Sequence, residues 1–282
     1  MKILILGANG QLGTALTNLF IKQNVSFTTA DLPDFDITNH EIITQKIKEI
    51  NPNIIINAAG YTNVKRAEIE FDRALQINAV SLKKLSEICN KNNIYLCHIS
   101  TDYVFDGTKN TPYLENDKTK PVNCYGLSKE LGEKIIQNYC NDHVIVRTAA
   151  LYGKSKIKSA NIVDKIISFA RKNEEISFVE DEFTSPTFSE DLAKQIHKIL
   201  QNGIKGIVHA TSQGECNWFE FGKYLLDIMN IKVKMNRIKS ADFSQDLKKP
   251  LYSVLENYRL KSLKLNLMPT WQEALDKYLK NQ

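Results

Sequence analysis

The chain opens with a short apolar run, Lys2 to Leu6. It gives way at once to Gly7-Ala8-Asn9-Gly10-Gln11-Leu12-Gly13 and then to an amphipathic stretch with Leu16, Leu19 and Phe20. No other feature constrains the fold as much. A run of this kind suits a buried parallel strand. The glycines allow a tight turn and the close approach of a pyrophosphate, whose charge sits at the N-terminus of the following helix. The spacing is GxxGxxG rather than GxGxxG, so the loop alone also fits an ordinary strand-turn-helix corner. Strand and helix patterns then alternate, with strand-like runs near 2–6, 26–30, 53–57, 94–99 and 143–147. That alternation predicts an α/β fold, a doubly wound parallel Rossmann-type sheet with helices on both faces.

Ligands of such sheets bind outside the carboxyl ends of the strands, and several polar or small residues fall there. The second run ends in Asp31, where an acid can accept the adenosine ribose hydroxyls and would repel a 2′-phosphate. This favours NADH over NADPH, although Asp31 beside Pro33 also fits a turn or cap residue. Asp36 and Ile37 could hold the adenine amino group and stack on its ring. Equally, Thr38 or Asn39 could cap the helix beginning near Glu41. The third run is followed by Asn57-Ala58-Ala59-Gly60-Tyr61-Thr62. Small residues there let a flat cofactor lie against the backbone, and a close-packed strand end would use them too.

The run Ile94 to Ile99 leads into Ser100-Thr101-Asp102-Tyr103-Val104-Phe105-Asp106-Gly107, and Tyr125-Gly126-Leu127-Ser128-Lys129 follows. Tyr125 and Lys129 are four apart and share a face of the helix expected over Tyr125 to Tyr139. A lysine charge nearby favours the phenolate and eases proton donation by the tyrosine. Thr101, at the sheet edge, can hydrogen-bond the oxygen whose proton is in transit. A hydride carrier joined to a proton donor is the equipment of carbonyl reduction.

After Arg147 the pattern loosens. Strands are expected at Ile176 to Val179 and Ile207 to Ala210, and helices at Phe188 to Leu200 and Trp218 to Met229. The stretches Gly153 to Ala160 and Lys239 to Ser253 lack periodicity and are expected to be active-site loops. We therefore expect a dinucleotide-binding domain over residues 1–150. Residues 151–282 are expected to be a smaller, interleaved substrate-binding region with some elements returning to the first domain.

Composition narrows the partners. The net charge is +5, but the Lys and Arg residues are scattered rather than gathered in a stripe, which argues against nucleic-acid binding. Five cysteines without a CxxC pair point to reduced thiols and a cytoplasmic protein. The five histidines show no ligand spacing, so no catalytic metal is expected. The N-terminus reads as a first strand rather than a signal peptide, and no apolar run approaches the ~20 residues of a membrane span.

The assembled motifs resemble those of the extended short-chain dehydrogenase/reductases, and more narrowly the dTDP-4-dehydrorhamnose reductase family. The resemblance covers nearly the whole chain and rests on GANGQLG (7–13), NAAGYTNVKRAE (57–68), STDYVFDG (100–107), YGLSK (125–129), RTAALYG (147–153), DEFTSPT (181–187) and KPLYSVLEN (249–257). It implies NADH- or NADPH-dependent reduction of the 4-keto group of a nucleotide-linked deoxysugar. A product of that kind feeds a surface polysaccharide. Tyr125 would be the proton donor, Lys129 the residue holding the nicotinamide ribose, and Thr101 the residue orienting the keto oxygen. Gly10 to Leu12, Asp36, Ile37 and Gly60 to Thr62 would touch the cofactor, and Asp102 and Tyr103 would face the sugar. Two other readings share the resemblance. One is an epimerase, which retains its cofactor. The other is a non-catalytic partner protein like the regulatory subunit of methionine adenosyltransferase. Dehydratases of the superfamily carry an acidic pair after the threonine, whereas Asp102 is followed here by Tyr103.

Departures from the family pattern gather near the sugar nucleotide. Ala150 stands where the family usually has Trp, Lys65 where it has Asp, Thr184 where it has Gly, and Lys249 where it has Arg. The last change removes a bidentate fork for phosphate. Metal-bridged dimers occur in the family, but Ala15 occupies one position where an acid could sit. Glu190 reads as a remnant ligand or as a first-turn residue of a helix. A homodimer is compatible with the resemblance.

Overall fold

The computed structural model describes residues 2–157, 161–243 and 247–280. Residues 158–160 and 244–246, inside the two stretches without periodicity, lie outside the described residues. The central sheet has six parallel strands. Five come from the first half: β1 (Ile3–Leu6), β2 (Phe27–Ala30), β3 (Ile54–Asn57), β4 (Tyr95–Thr101) and β5 (His143–Thr148). The sixth, Gly206–His209, pairs with β5, and the order across the sheet is Gly206–His209, β5, β4, β3, β1, β2.

Alternate side chains of these strands face opposite layers. Ile3, Ile5, Ile54, Ile56, Val144 and Val146 pack against helix α1 (Gln11–Lys22) and the helix Ser189–Gln201. Leu4, Leu6, Ile55, Leu96 and Ile145 face a second layer with Ile43, Ile47, Leu82, Leu85 and Ile136. The doubly wound sheet expected from the apolar runs is the one observed. A strand and a helix from the second half of the chain complete it. A separate core, including Tyr152, Phe178, Phe188, Phe221, Trp271 and Tyr278, holds other elements of the C-terminal half.

The chain reverses direction across the sheet between β1 and β3, so the crevice between their carboxyl ends is the natural ligand site. β4 runs two residues further than the apolar pattern predicts, because its pairing with β5 continues to Thr101 opposite Thr148. Thr101 is therefore the last strand residue. The helix bearing Tyr125 and Lys129 spans Cys124–Tyr139, and the Asn123 side chain caps it by accepting from Gly126 N at 2.8 Å. Among the described residues no helix is long and apolar enough to cross a membrane.

Candidate active site

The glycine loop joins β1 to α1, and its glycines differ in physical reason. A Cβ at Gly7 would come within 2.6 Å of Ala59 N, and one at Gly13 within 2.2 Å of Gly7 O. Packing therefore requires both residues. A Cβ at Gly10 would meet only Gly7 O, at 3.5 Å, so the protein's own packing does not demand glycine there. Gly10 caps α1 with no side-chain bond, and the first turn carries no acid. The helix thus presents its positive end at the crevice.

Both oxygens of Asp31 are engaged by backbone. Oδ2 accepts from Asn9 N and Oδ1 from Leu32 N, each at 2.8 Å. Asp31 therefore ties the end of β2 to the glycine loop. The Asn9 carbonyl accepts from Ser155 Oγ at 2.9 Å and Lys156 N at 3.0 Å, which brings the segment after Ala150 onto the same loop. Leu12 is buried against the core beside Ala15, and Gln11 begins α1.

Asp36 accepts from Thr38 N and Oγ1, at 2.8 and 2.7 Å. The cap of the following helix is Asn39, whose side chain accepts from Glu41 N and Ile42 N. Ile37 is 6% exposed and packs in the core with Phe35 and Ile43, so its side chain is not left open as a stacking surface.

On the opposite wall, Ala58 and Ala59 are half-buried and Gly60 and Thr62 exposed. A wide π turn at Gln76–Val80 presents Asn78 to this wall. Its amide bonds Tyr61 N at 2.9 Å, Tyr61 O at 3.0 Å and Ser128 Oγ at 2.9 Å. The Tyr61 phenol turns away to Glu70 at 2.8 Å. A Cβ at Gly60 would lie 4.0 Å from Lys129 Nζ, so the lysine faces the glycine-opened side of the crevice.

Thr101, Tyr125 and Lys129 converge where this crevice meets a pocket. Thr101 Oγ1 bonds Asp102 Oδ1 at 3.0 Å and accepts from Tyr103 N at 3.2 Å. The Tyr103 and Tyr125 rings meet edge to face, with centroids 5.9 Å apart. Lys129 Nζ donates to Ile99 O at 2.7 Å and lies 3.2 Å from His98 Nε2. Burial pushes the lysine down to about 8, against the opposing charge of Glu133. Burial also pushes Tyr125 up to about 12, with a bond to Thr101 pulling down and the Asp102 charge pushing up.

Lys129 Nζ is turned onto Ile99 O and His98 in this structure. Tyr125 keeps its proton at neutral pH, the state a proton donor needs. Asp102 is buried and is raised to about 6 by that burial, against bonds from Ser253 and Thr101.

The pocket is lined by Thr101, Asp102, Tyr103 and Tyr125 on one side and by Ala150, Thr184, Trp218 and Ser253 on the other. Ala150 has a left-handed backbone, φ +42°. Lys249 points to Glu182, with Nζ 3.1 and 3.2 Å from the two carboxylate oxygens. Tyr103, Glu182 and Trp218 also border a larger groove, whose wall includes apolar Ile162, Ile166 and Phe169 and the cations Lys165, Lys172, Lys234 and Lys249. Lys65 is exposed on the short helix Val64–Ala67, and only its neighbour Val64 reaches the pocket. Ala15 is buried in the core, and Glu190 lies in the first turn of its helix. Among the described residues no group of three or more His, Cys, Asp or Glu is arranged to hold a metal.

Sequence reasoning missed His98, Asn78, Glu182, Trp218 and Ser253. Glu182 and Ser253 sit inside the motifs DEFTSPT and KPLYSVLEN, which could have pointed to them. His98 and Asn78 carried no such signal.

The profile of the family described as RmlD substrate binding domain matches residues 1–282. The chain is 32% identical over 289 residues to the dTDP-4-dehydrorhamnose reductase of Aggregatibacter actinomycetemcomitans, covering 97% of each chain. It is 31% identical over 274 residues to the dTDP-4-keto-6-deoxy-D-glucose reductase of Streptomyces niveus, covering 96% of this chain and 94% of that one. A solved dTDP-4-dehydrorhamnose reductase of Bacillus anthracis in complex with NADP superposes with a TM-score of 0.95 at 35% identity, covering 100% of this chain and 99% of that one.

Proposed function

The chain belongs to the family of the RmlD substrate-binding domain, that of the dTDP-4-dehydrorhamnose reductases. From that premise we propose that it reduces the 4-keto group of a nucleotide-linked 6-deoxyhexose with a nicotinamide cofactor, converting dTDP-4-dehydro-L-rhamnose to dTDP-L-rhamnose for surface polysaccharide synthesis. One observation carries this reading: Thr101, Tyr125 and Lys129 meet between a glycine-lined crevice and a pocket of mixed polar and apolar lining. The residues fit a dinucleotide, since Gly10 is free of packing demands and α1 opens without a side-chain cap. When bound, the reduced nicotinamide supplies the hydride.

This chain's residues would do the rest. Gly7, Asn9, Gly10, Gln11, Leu12 and Gly13 would carry the pyrophosphate and Asp31 the adenosine ribose. Asp36 and Ile37 would border the adenine, and Ala58, Ala59, Gly60, Tyr61 and Thr62 would back the nicotinamide half. Lys129 would hold the nicotinamide ribose. Tyr125 would give its proton to O4 of the sugar as negative charge develops there, and the Thr101 hydroxyl would stabilise that charge. Asp102, Tyr103, Ala150 and Lys249 would bound the sugar diphosphate, with the nucleotide running into the lysine-bordered groove. The Asp31 carboxylate supports NADH over NADPH. Five free cysteines support a cytoplasmic protein, and a homodimer is compatible with the reading.

The test is oxidation of NADH, with NADPH in parallel, on freshly generated dTDP-4-dehydro-L-rhamnose, with the product identified. Turnover to dTDP-L-rhamnose is the expected result. Cofactor binding without turnover on any 4-keto sugar nucleotide would favour a regulatory partner protein instead. A second substrate, dTDP-4-keto-6-deoxy-D-glucose, belongs in the assay because Ala150 and Thr184 both depart from the family pattern in the pocket wall. Ala150→Trp is expected to change the ratio of kcat/KM between the two sugars by about tenfold or more, the scale of a reshaped apolar wall. NADH affinity should be nearly unchanged. A large loss of NADH binding would contradict this assignment of the wall.

A further inference from the structure

Beneath Lys129 lies a buried polar chain that the mechanism above does not use. Asn57, the last residue of β3, is fully buried, and His98 in β4 is 1% exposed. Asn57 Oδ1 accepts from Ala59 N at 3.2 Å, which fixes the orientation of the amide. Its Nδ2 therefore faces His98 Nδ1, at 3.1 Å, as a donor. An amide NH₂ can only donate, so Nδ1 must offer its lone pair. In a neutral imidazole the single hydrogen is then on Nε2. That nitrogen faces Lys129 Nζ at 3.2 Å, while Nζ also donates to Ile99 O at 2.7 Å. An ammonium has three N–H groups and no lone pair, so Nε2–H against it would be donor against donor. An amine accepts from Nε2–H and still donates to the carbonyl.

We propose that His98, held by Asn57 as the Nε2–H tautomer, is a positioning residue that docks Lys129 on the sheet as the neutral amine, so that protonation of Lys129 frees its ammonium toward Gly60 and the crevice. The kinetic part rests on the reductase reading, and the tautomer does not. Burial, and after it the Lys129 charge, hold His98 well below its ordinary range, so the imidazole is neutral; burial pushes Lys129 down to about 8, so the docked amine becomes the major form as pH rises past that value. Besides His98, the titratable group that acts on the lysine is Glu133, one turn on along its own helix. Glu133 favours the ammonium, but Arg147 pairs with it at 2.7 Å.

The fold supplies an internal reference. His209 Nδ1 lies 3.1 and 3.2 Å from the carbonyls of Tyr113 and Glu256, and its Nε2 faces Arg147 Nη1 at 3.4 Å. It must carry its hydrogen on Nδ1, the opposite tautomer. Nitrogen-15 imidazole NMR of the whole resting protein at neutral pH should show these two buried histidines with opposite tautomers. His98 as Nδ1–H, or as imidazolium, would overturn the proposal whatever the enzyme reduces.

The kinetic arm uses His98→Gln, which offers Lys129 an amide oxygen that an ammonium can bond. The wild-type rate should fall as pH rises through about 8 and Lys129 loses its charge. The variant should move that alkaline limb up by about one pH unit or more, the differential expected of one added hydrogen bond to a charged group. A purely structural role would lower kcat with the limb unmoved, and that result would also overturn the proposal. Asn57→Asp keeps an acceptor for Ala59 N and offers a second to Nδ1–H. Its His98 should switch tautomer in the NMR spectrum, which tests the inference even if the glutamine variant fails to fold. Absence of turnover with Nε2–H still observed at His98 would count against the reductase reading alone.

Discussion

Tyr125→Phe is expected to bind NADH nearly as well as the parent protein and to reduce the sugar about two to four orders of magnitude more slowly, the usual contribution of a positioned proton donor. The substitution removes one oxygen from a half-buried ring that keeps its edge-to-face contact with Tyr103. The fold should not notice the change. Lys129 is anchored on Ile99 O rather than on the phenol, so removing the Tyr125 oxygen leaves its position unchanged. The loss should appear in kcat more than in KM, because protonation of O4 belongs to the transition state. With burial holding Tyr125 up at about 12, the parent enzyme keeps this proton across the whole neutral range. The pH profile of the parent should then report Lys129 and Asp102 before it reports the phenol. Near-normal turnover in the phenylalanine variant would sink the assignment of Tyr125. A parallel loss of NADH affinity would mean that the phenol belongs to the cofactor site more than to the chemistry.

The sheet was legible because its strands are apolar on both faces. Ile3 to Leu6 and Ile54 to Ile56 have little choice but a central position. The carboxyl ends of these runs were legible as well, but not the direction of every side chain there: Asn57 closes β3 and is fully buried. What the sequence hid lies inside the runs. His98 interrupts an apolar strand, and only the fold reveals that its two nitrogens meet Asn57 and Lys129. The direction of Lys129 was hidden too. Spacing puts it on the same helix face as Tyr125, yet the carbonyl of Ile99 draws its Nζ away. Ile37 reads as a surface for a ring until tertiary packing takes it into the core. The cations Lys165, Lys172 and Lys234 lie far apart in a scattered charge pattern, and only the second core gathers them at one groove. Local pattern reports what a residue can be. Long-range contacts decide which of its partners it meets.

The other large effect concerns stability, at the pair beneath the active site. Arg147 and Glu133 are both 3% exposed, joined by Nε to Oε1 at 2.9 Å and Nη2 to Oε2 at 2.7 Å. Ser100 Oγ also bonds Oε1, and the guanidinium lies 5.1 Å from the centroid of the Phe105 ring. Each charge has its partner in fork geometry, so the pair is tolerated where a lone charge would not be. Arg147→Met strands a carboxylate in the core and should lower stability by about 3–5 kcal/mol, read from urea unfolding. Adding Glu133→Leu removes the stranded charge, and the double variant should recover most of that loss. The contrast between the two variants is the decisive reading. If the single variant loses under about 1 kcal/mol, solvent must reach Glu133 and the pair is a surface-like one. If the double variant is no better than the single, the loss comes from packing around Phe105 and His209 rather than from unpaired charge.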